Sequence, residues 1–283
     1  MGTTISEALA RAKAQLASQG LDSAFIDAEL LLSHLLHIRR IDLIILRDRK
    51  LTDTEERAYA DLLQRRSRRE PVAYITGTRE FFGRDFRVNP SVLIPRPETE
   101  ILVEQAISLA PAGAKILEIG VGSGAVIISV LCEREDLLGF GNDISLAALS
   151  TARENAGLHG VANRLRLFAG NSLKSTGGTW PLIIANPPYI ARDDMDTLED
   201  DVRLYEPGSA LFGGKDGLDI VKGIIGSLGL MLASGGMLIM EVGLGQKEAV
   251  DSLVAYRGTI RVRSWIKDLS GIERAVIMER IHG

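Results

Sequence analysis

The chain has 283 residues, of which 46% are hydrophobic and 25% are charged, and its formal net charge is −4. This length suits one large or two modest domains with a proper core, and the composition is ordinary for a soluble globular protein. The slightly acidic charge gives no whole-chain sign of a nucleic-acid binder, and the single cysteine, Cys132, excludes an internal disulfide and fits a reducing compartment.

The N-terminus lacks the apolar core of a signal peptide, so we expect a cytoplasmic protein. One long uncharged stretch, Gly223 to Met240, is about long enough to cross a membrane, but Ser234, Gly235 and Gly236 interrupt it. We therefore predict a helix, a turn and a strand in this stretch.

Helix start signals dominate residues 1–72, which we predict to form an N-terminal helical domain. Thr4 with Glu7 and Thr52 with Glu55 are capping-box pairs, and Asp22 is placed to cap the helix between them. The last helix ends in four arginines, Arg65, Arg66, Arg68 and Arg69. We interpret this cluster as a solvated helix end whose cations complement the helix dipole, with a contact to RNA or to an acidic partner as the alternative.

From residue 73 to residue 97 apolar residues alternate and turn residues appear, which predicts a β-hairpin linker. From residue 98 to residue 283 predicted strands and helices alternate. The strands are KILEIG, LGFGND, RLRLF, PLIIAN, GMLIMEV, TIRVRSWI and RAVIMER. This order is typical of a doubly wound α/β sheet.

A glycine-rich turn follows the first of these strands. Gly120, Gly122 and Gly124 allow sharp turns and a close approach to a ligand, and Asp143 ends the next strand, where its carboxylate can bind ribose hydroxyls. The pattern predicts an adenosine-containing ligand. It also satisfies a dinucleotide fingerprint, so NAD stays open, although Glu118 favours the ammonium or sulfonium of S-adenosylmethionine over a pyrophosphate. Capping of the following helix is the alternative role for Asp143.

The fourth strand ends in Asn186-Pro187-Pro188-Tyr189. The two prolines restrict the residues before them and stiffen the corner. We predict that the Asn186 side-chain oxygen and the Pro187 carbonyl accept both N–H bonds of a planar NH2 group and stabilise the charge that develops on its nitrogen during methyl transfer. Tyr189 would pack its ring against the acceptor group. A rigid turn that closes the strand is the alternative.

Longer stretches closely resemble the HemK/PrmC family. They are EPVAYITGTREFFGRDFRVNPSVLIPRPETEILVE, LEIGVGSGAVIISV, NDISLAALSTARENA, IIANPPYI and YEPGSALFGGKDGLDIVKGII. The resemblance implies a Rossmann-like class I S-adenosylmethionine-dependent methyltransferase fold, a doubly wound sheet whose last strand is antiparallel. It also implies methylation of the glutamine side-chain amide nitrogen in the Gly-Gly-Gln motif of peptide chain release factors, with S-adenosyl-L-homocysteine as product and an effect on translation termination.

The resemblance also assigns site residues. It implies catalytic roles for Asn186, Pro187 and Tyr189. It implies cofactor contacts from Glu118, Gly120, Val121, Gly122, Ser123, Gly124, Asp143, Ile144, Asn171, Ser172 and Asn186. It implies substrate contacts from Arg96, Glu98, Asn186, Pro187, Pro188 and Tyr189. The segment Pro95–Glu100 would lie near the glutamine pocket, with a linker turn followed by a helix start as the alternative. Asn171 and Ser172 depart from the acidic pattern that family members commonly have after the third strand, which leaves the adenine contacts open.

The implied partner is a class 1 release factor, held by the helical domain, and we expect a monomer without direct nucleic-acid or membrane contacts. His34 and His37 show no ligand pattern, so we expect no metal site. Two rival hypotheses remain. One is an adenine methyltransferase acting on DNA or RNA, which would require a basic groove. The other is a non-catalytic adaptor that binds release factor through its helices.

Overall fold

The computed structural model describes residues 2–171, 179–268 and 270–281. The chain divides into two compact units, Met1–Thr78 with Glu199–Tyr205, and Arg79–Leu198 with Glu206–Gly283. Each unit has its own hydrophobic core. The domain boundaries that we placed at residues 72 and 97 stay predictions.

Five helices form the first unit together with the segment 199–205. They are α1 (Ile5–Ser18), α2 (Ala24–Leu36), α3 (Arg40–Ile45), α4 (Asp53–Ser67) and α5 (Val72–Thr76). Both predicted capping boxes are confirmed, since the hydroxyls of Thr4 and Thr52 each accept an amide hydrogen bond from the glutamate three residues later. The predicted cap at Asp22 is wrong. The N-cap of α2 is Ser23, whose hydroxyl donates to Asp27 at 2.8 Å.

Arg66 lies inside the first unit, although it belongs to the cluster that we interpreted as a solvated helix end. Its Nε donates to Asp27 Oδ2 at 2.7 Å, and its Nη1 donates to Asp201 Oδ2 at 2.7 Å. Only 4% of Arg66 is exposed, so the interpretation is wrong for this residue. The guanidinium presents a rigid fork of donors, and it can therefore hold two carboxylates at once. Arg65 donates to a neighbouring carboxylate and Arg69 to backbone carbonyls at the end of α1.

The second unit contains a two-stranded hairpin and a seven-stranded sheet. Its elements are β1 (Thr78–Phe81), β2 (Arg84–Arg87), α6 (Glu100–Leu109), β3 (Lys115–Ile119), α7 (Ala125–Glu133), β4 (Leu138–Asp143), α8 (Leu146–Leu158), β5 (Leu165–Ala169), β6 (Trp180–Ala185), α10 (Asp219–Met231), β7 (Leu232–Glu241), α11 (Lys247–Ala255), β8 (Ile260–Lys267) and β9 (Glu273–Arg280). The first residue of β1 and the short helix α9 (Asp200–Tyr205) group with the first unit. A 3-10 helix, Pro97–Thr99, leads into α6.

The sheet order is β5-β4-β3-β6-β7-β9-β8. The first five of these strands run parallel, and β9 is antiparallel to both β7 and β8. Helices α6, α7 and α8 cover one face, and α10 and α11 cover the other. The predicted methyltransferase-like α/β fold with an antiparallel last strand is confirmed. The strand order reverses between β3 and β6, which is where open α/β sheets form a binding crevice.

The uncharged stretch at 223–240 folds as α10 followed directly by β7. The turn predicted at Ser234–Gly236 is wrong, because these residues belong to β7. They fall where the pairing with β6 shifts register, since Trp180 pairs with Leu232 but Leu182 pairs with Met237. Among the described residues, no helix is long and apolar enough to span a membrane.

The ion pairs of Arg66 predict a large difference between two neighbouring arginines. Arg66→Met leaves Asp27 buried without its cation, so we expect a loss of roughly 3–5 kcal/mol in the free energy of unfolding. Arg65→Ala, which breaks a half-exposed pair with Glu70, should cost less than about 1 kcal/mol. Urea unfolding of both variants provides the measurement, and equal stabilities would contradict the buried triad.

Candidate active site

The loop between β3 and α7 adopts a conformation that favours glycine. Gly120, Gly122 and Gly124 have φ values of +74°, +51° and +81°. A Cβ atom at Gly120 or Gly122 would meet open space, whereas a Cβ atom at Gly124 would lie 2.7 Å from the Ile128 side chain. The first two glycines therefore bring backbone to an open cavity. The third allows the start of α7 to lie close to α8, since its Cβ atom would also lie 3.3 Å from the Ala152 side chain.

The side chain of Asp143, at the end of β4, is hydrogen-bonded to the loop that follows β3. Its Oδ2 accepts a hydrogen bond from the Gly122 amide at 3.0 Å, and its Oδ1 accepts one from the Ser145 amide at 2.9 Å. The N-cap of α8 is Ser145, whose hydroxyl accepts from the Ala148 amide. Asp143 is thus not the cap of α8, and its carboxylate lies beside the glycine loop.

Glu118 lies at the end of β3 with only 3% of its surface exposed. Its Oε2 accepts a hydrogen bond from the Ile127 amide, in the first turn of α7, at 3.0 Å. Burial raises the pKa of Glu118 well above that of an ordinary glutamate, and the nearby charge of Asp143 acts in the same direction. A cation that docked in the cavity would favour the ionised carboxylate.

A cavity of about 280 Å³ lies at the carboxyl ends of β3, β4 and β6. Its lining includes these predicted site residues: Arg96, Glu118, Gly120, Val121, Gly122, Ser123, Asp143, Ile144, Asn171, Asn186, Pro187 and Pro188. Gly124, Tyr189 and Glu98 are not part of this lining. Ser172 lies outside the described residues.

Asn142 is a buried residue of the cavity wall that was not predicted from the sequence. Asn142 Nδ2 donates to the Gly170 carbonyl at 3.2 Å, and the Gly170 amide donates to the Asp143 carbonyl at 3.0 Å. These two bonds hold the turn that carries Asn171. Asn142 Oδ1 is buried and has no hydrogen-bond partner among the described residues. A second polar residue directly before Asp143, at the end of β4, was the available signal.

The Asn186-Pro187-Pro188-Tyr189 corner follows β6 directly. Asn186 Nδ2 donates to Thr99 Oγ1 at 3.3 Å. No hydrogen bond among the described residues engages Asn186 Oδ1 or the Pro187 carbonyl oxygen. The two acceptors that the sequence pointed to are therefore available to a ligand.

A second loop, which contains Gly213 and Gly217, packs against this corner. A Cβ atom at Gly213 would lie 2.7 Å from the Pro188 carbonyl oxygen, and one at Gly217 would lie 2.3 Å from the Tyr189 carbonyl oxygen. Gln246 Nε2 also donates to the Tyr189 carbonyl at 3.1 Å. The missing side chains at Gly213 and Gly217 thus let the loop pack against the proline corner, a role that we did not predict from the sequence.

A buried carboxylate, Glu241, lies at the end of β7 next to this corner. Thr99 Oγ1 donates to Glu241 Oε2 at 2.6 Å, and the Tyr189 hydroxyl donates to Glu241 Oε1 at 3.3 Å. Burial raises the pKa of both Glu241 and Tyr189. Glu241 was not a predicted site residue. The resemblance implied that the segment Pro95–Glu100 lies near the substrate pocket, but it assigned no contact to Thr99.

Arg96 and Glu98 have different surroundings, although the resemblance implied a substrate contact for each. Arg96 lines the cavity and pairs with Glu206, a buried carboxylate that also accepts a hydrogen bond from the Ile94 amide at 3.1 Å. Glu98 is exposed and is not part of the lining. The arrangement holds Arg96 at the cavity edge.

Solved structures share the fold over about 70% of the chain. A methyltransferase from Pyrococcus furiosus matches with a TM-score of 0.55 over 71% of this chain and 91% of its own, at 18% identity. A ribosomal protein L11 methylase from Lactobacillus delbrueckii subsp. bulgaricus matches with a TM-score of 0.51 over 70% of this chain and 86% of its own, at 19% identity. The fold is that of the class I methyltransferases.

Sequence comparison specifies the family within that class. The PrmC N-terminal domain matches residues 7–77, and the methyltransferase small domain matches residues 97–201. The release factor glutamine methyltransferase of Nitratidesulfovibrio vulgaris is 39% identical over 98% of this chain and 95% of its own length. The release factor glutamine methyltransferase of Bradyrhizobium diazoefficiens is 40% identical over 97% of this chain and 94% of its own length. The chain belongs to the release factor glutamine methyltransferase family.

The close packing at Gly213 predicts an effect on turnover. In Gly213→Ala the new Cβ atom would lie 2.6 Å from the Gly217 carbonyl oxygen and 2.7 Å from the Pro188 carbonyl oxygen. Because these distances are too short, the proline corner must shift. We expect kcat for methyl transfer to fall about tenfold or more. The matched control is Gly157→Ala on the exposed side of α8, where a Cβ meets nothing within 4 Å. Equal rates for the two variants would rule out this role of Gly213.

Proposed function

We propose that this chain transfers a methyl group from S-adenosyl-L-methionine to the side-chain amide nitrogen of the glutamine in the Gly-Gly-Gln motif of peptide chain release factors. The observation that carries the proposal is the pair of available acceptors, Asn186 Oδ1 and the Pro187 carbonyl, in the wall of the cavity that the glycine loop borders. Membership of the release factor glutamine methyltransferase family supports the choice of substrate.

The residues of the cavity fit the proposed cofactor. Asp143 offers carboxylate oxygens to ribose hydroxyls. Gly120 and Gly122 leave space where side chains would otherwise stand. Glu118 offers a buried carboxylate to a cationic group. S-adenosyl-L-methionine, when bound, supplies a methyl group on a positively charged sulfur, and S-adenosyl-L-homocysteine is the product.

The proline corner would orient the substrate amide. The glutamine NH2 group donates one N–H to Asn186 Oδ1 and the other to the Pro187 carbonyl, so both hydrogens are held while the nitrogen gains the methyl carbon. Positive charge that develops on the nitrogen strengthens both hydrogen bonds. The methylated nitrogen then releases one proton to solvent, and no general base is required before the transfer.

We propose that the helical first unit holds the release factor. Its helix α3 exposes large apolar side chains, since Ile41, Ile44 and Ile45 are 53%, 64% and 70% exposed. Such a patch suits a protein partner better than a nucleic acid. The basic cluster of α4 offers little support for RNA binding, because Arg66 is buried between two aspartates.

Mass spectrometry of release-factor peptides after reaction tests the function. We expect one added methyl group, on the glutamine of Gly-Gly-Gln, and a loss of at least about a hundredfold in rate for Asn186→Ala. Binding of the release factor by Asn186→Ala should stay within threefold of wild type, which separates catalysis from an adaptor role. Methyl label in DNA or RNA alone would reject the proposal in favour of the adenine methyltransferase.

Glu118 predicts a pH dependence of cofactor binding. Its raised pKa means that it is protonated at pH values where an ordinary glutamate is ionised. The affinity for S-adenosyl-L-methionine should therefore be full above the raised pKa and fall as the pH drops through it. In Glu118→Gln we expect a Kd about tenfold higher above that pKa, without this dependence.

Calorimetric titration across pH measures the effect. Adenosine, which lacks both the ammonium and the sulfonium, is the control ligand, and its Kd should differ less than threefold between wild type and Glu118→Gln. A parallel loss of adenosine affinity would show that the substitution damages the cavity rather than a contact with a cation.

A further inference from the structure

We propose that Glu241, acting through Thr99, fixes the orientation of the Asn186 side-chain amide so that its oxygen, and not its NH2 group, faces the substrate. Thr99 and Glu241 are then positioning residues. The inference rests on the proposed methylation of a glutamine amide, because only a substrate with N–H donors requires an acceptor at this point.

Sheet register brings the three side chains together. Strands β6 and β7 run parallel with Ala185 opposite Met240. Asn186, just past the end of β6, and Glu241, the last residue of β7, therefore lie at the same edge of the sheet. Thr99, at the end of the 3-10 helix that precedes α6, lies between them, 3.3 Å from Asn186 Nδ2 and 2.6 Å from Glu241 Oε2. Thr99 and Glu241 are each 4% exposed, so water has little access to this chain of hydrogen bonds.

The chemistry of the three groups sets the direction of the chain. An ionised carboxylate can only accept, so the single hydroxyl proton of Thr99 is committed to Glu241. Towards Asn186 the same hydroxyl therefore presents a lone pair, and Asn186 must present its NH2 group. Asn186 Oδ1 is then left for the substrate.

A neutral group at position 241 removes this constraint. A protonated carboxyl or a glutamine amide can donate to Thr99, which frees the Thr99 hydroxyl to donate to Asn186 Oδ1. The Asn186 amide could then turn by about 180° about its terminal bond, which is broad and roughly two-fold. Its NH2 group would face the NH2 group of the substrate, and two donors form no hydrogen bond.

The groups around Glu241 determine when it is ionised. Burial raises the pKa of Glu241 and the charge of Glu98 acts in the same direction, whereas Arg274 on β9 and the hydroxyls of Thr99 and Tyr189 oppose the shift. The raised pKa means that the ionised form is lost at a higher pH than in an ordinary glutamate. We expect kcat to fall as the pH drops through this pKa, at saturating cofactor.

The experiment compares Thr99→Val, Thr99→Ser, Glu241→Gln and the double variant Thr99→Val/Glu241→Gln in the full chain. Valine keeps the shape of threonine without its hydroxyl, and serine keeps the hydroxyl. We expect roughly 10- to 100-fold lower kcat for Thr99→Val and for Glu241→Gln. We expect the kcat of Thr99→Ser to stay within threefold of wild type. We expect the kcat of the double variant to stay within threefold of the slower single variant, because both substitutions act on the same Asn186 amide.

Two further measurements separate positioning from general damage. The Kd for S-adenosyl-L-homocysteine should stay within threefold in all variants, while the Kd for a Gly-Gly-Gln peptide in its presence rises at least threefold in Thr99→Val. Glu241→Gln should lose the acidic fall in kcat that wild type shows.

Three results would overturn the inference. They are equal losses in Thr99→Ser and Thr99→Val, a double variant whose loss is the product of the single losses, or an unchanged acidic fall in Glu241→Gln. If Glu241→Gln does not fold, the serine and valine comparison at position 99 still tests the Thr99 hydroxyl. A wild-type kcat that does not fall on the acid side would then overturn the role of Glu241. Wild type that methylates no glutamine would instead reject the proposed function, so the two failures are distinguishable.

Discussion

The register of the parallel strands is the constraint on which the rest of the site depends. Ile119 of β3 pairs with Asn142 of β4 and with Ala185 of β6, and Ala185 pairs in turn with Met240 of β7. Four strands therefore end at one edge of the sheet. Because parallel strands leave the sheet in the same direction, the residues that follow each pairing meet there, although they are far apart in the chain. A shift by one residue in any pair would turn these side chains to the other face.

Buried carboxylates hold the loops around this edge in place. Glu118 accepts from the first turn of α7, Glu206 pairs with Arg96 and accepts from the Ile94 amide, and Glu241 accepts from two hydroxyls. A buried charge is costly unless donors surround it, so each of these groups restricts its partners to one arrangement. The hydrogen bonds that Glu241 requires also restrain the corner at Asn186, in addition to the restriction by its two prolines.

The glycines of the second unit act in two distinct ways. In the loop after β3 the positive φ values at Gly120 and Gly122 turn the backbone towards open space. At Gly213 and Gly217 the absence of a side chain matters because carbonyl oxygens of the proline corner lie closer than a Cβ atom tolerates. The first pair therefore shapes the cavity wall, and the second pair supports the corner that the wall contains.

Local sequence patterns were sufficient to predict the class of fold and many residues of the cavity wall. The alternation of strands and helices, the glycine turn, Asp143 at a strand end and the proline corner all depend on neighbours in the chain, so propensity and spacing predict them. Such local patterns could not place Thr99 or Glu241 beside Asn186, because 87 and 55 residues separate them from it. Only the pairing of β6 with β7 and the packing of the segment before α6 bring them close. The burial of Arg66 was likewise decided by tertiary structure, since Asp27 and Asp201 lie 39 and 135 residues away in the chain. Charge and helix position predicted an exposed cation there, and only the fold shows that two carboxylates enclose it.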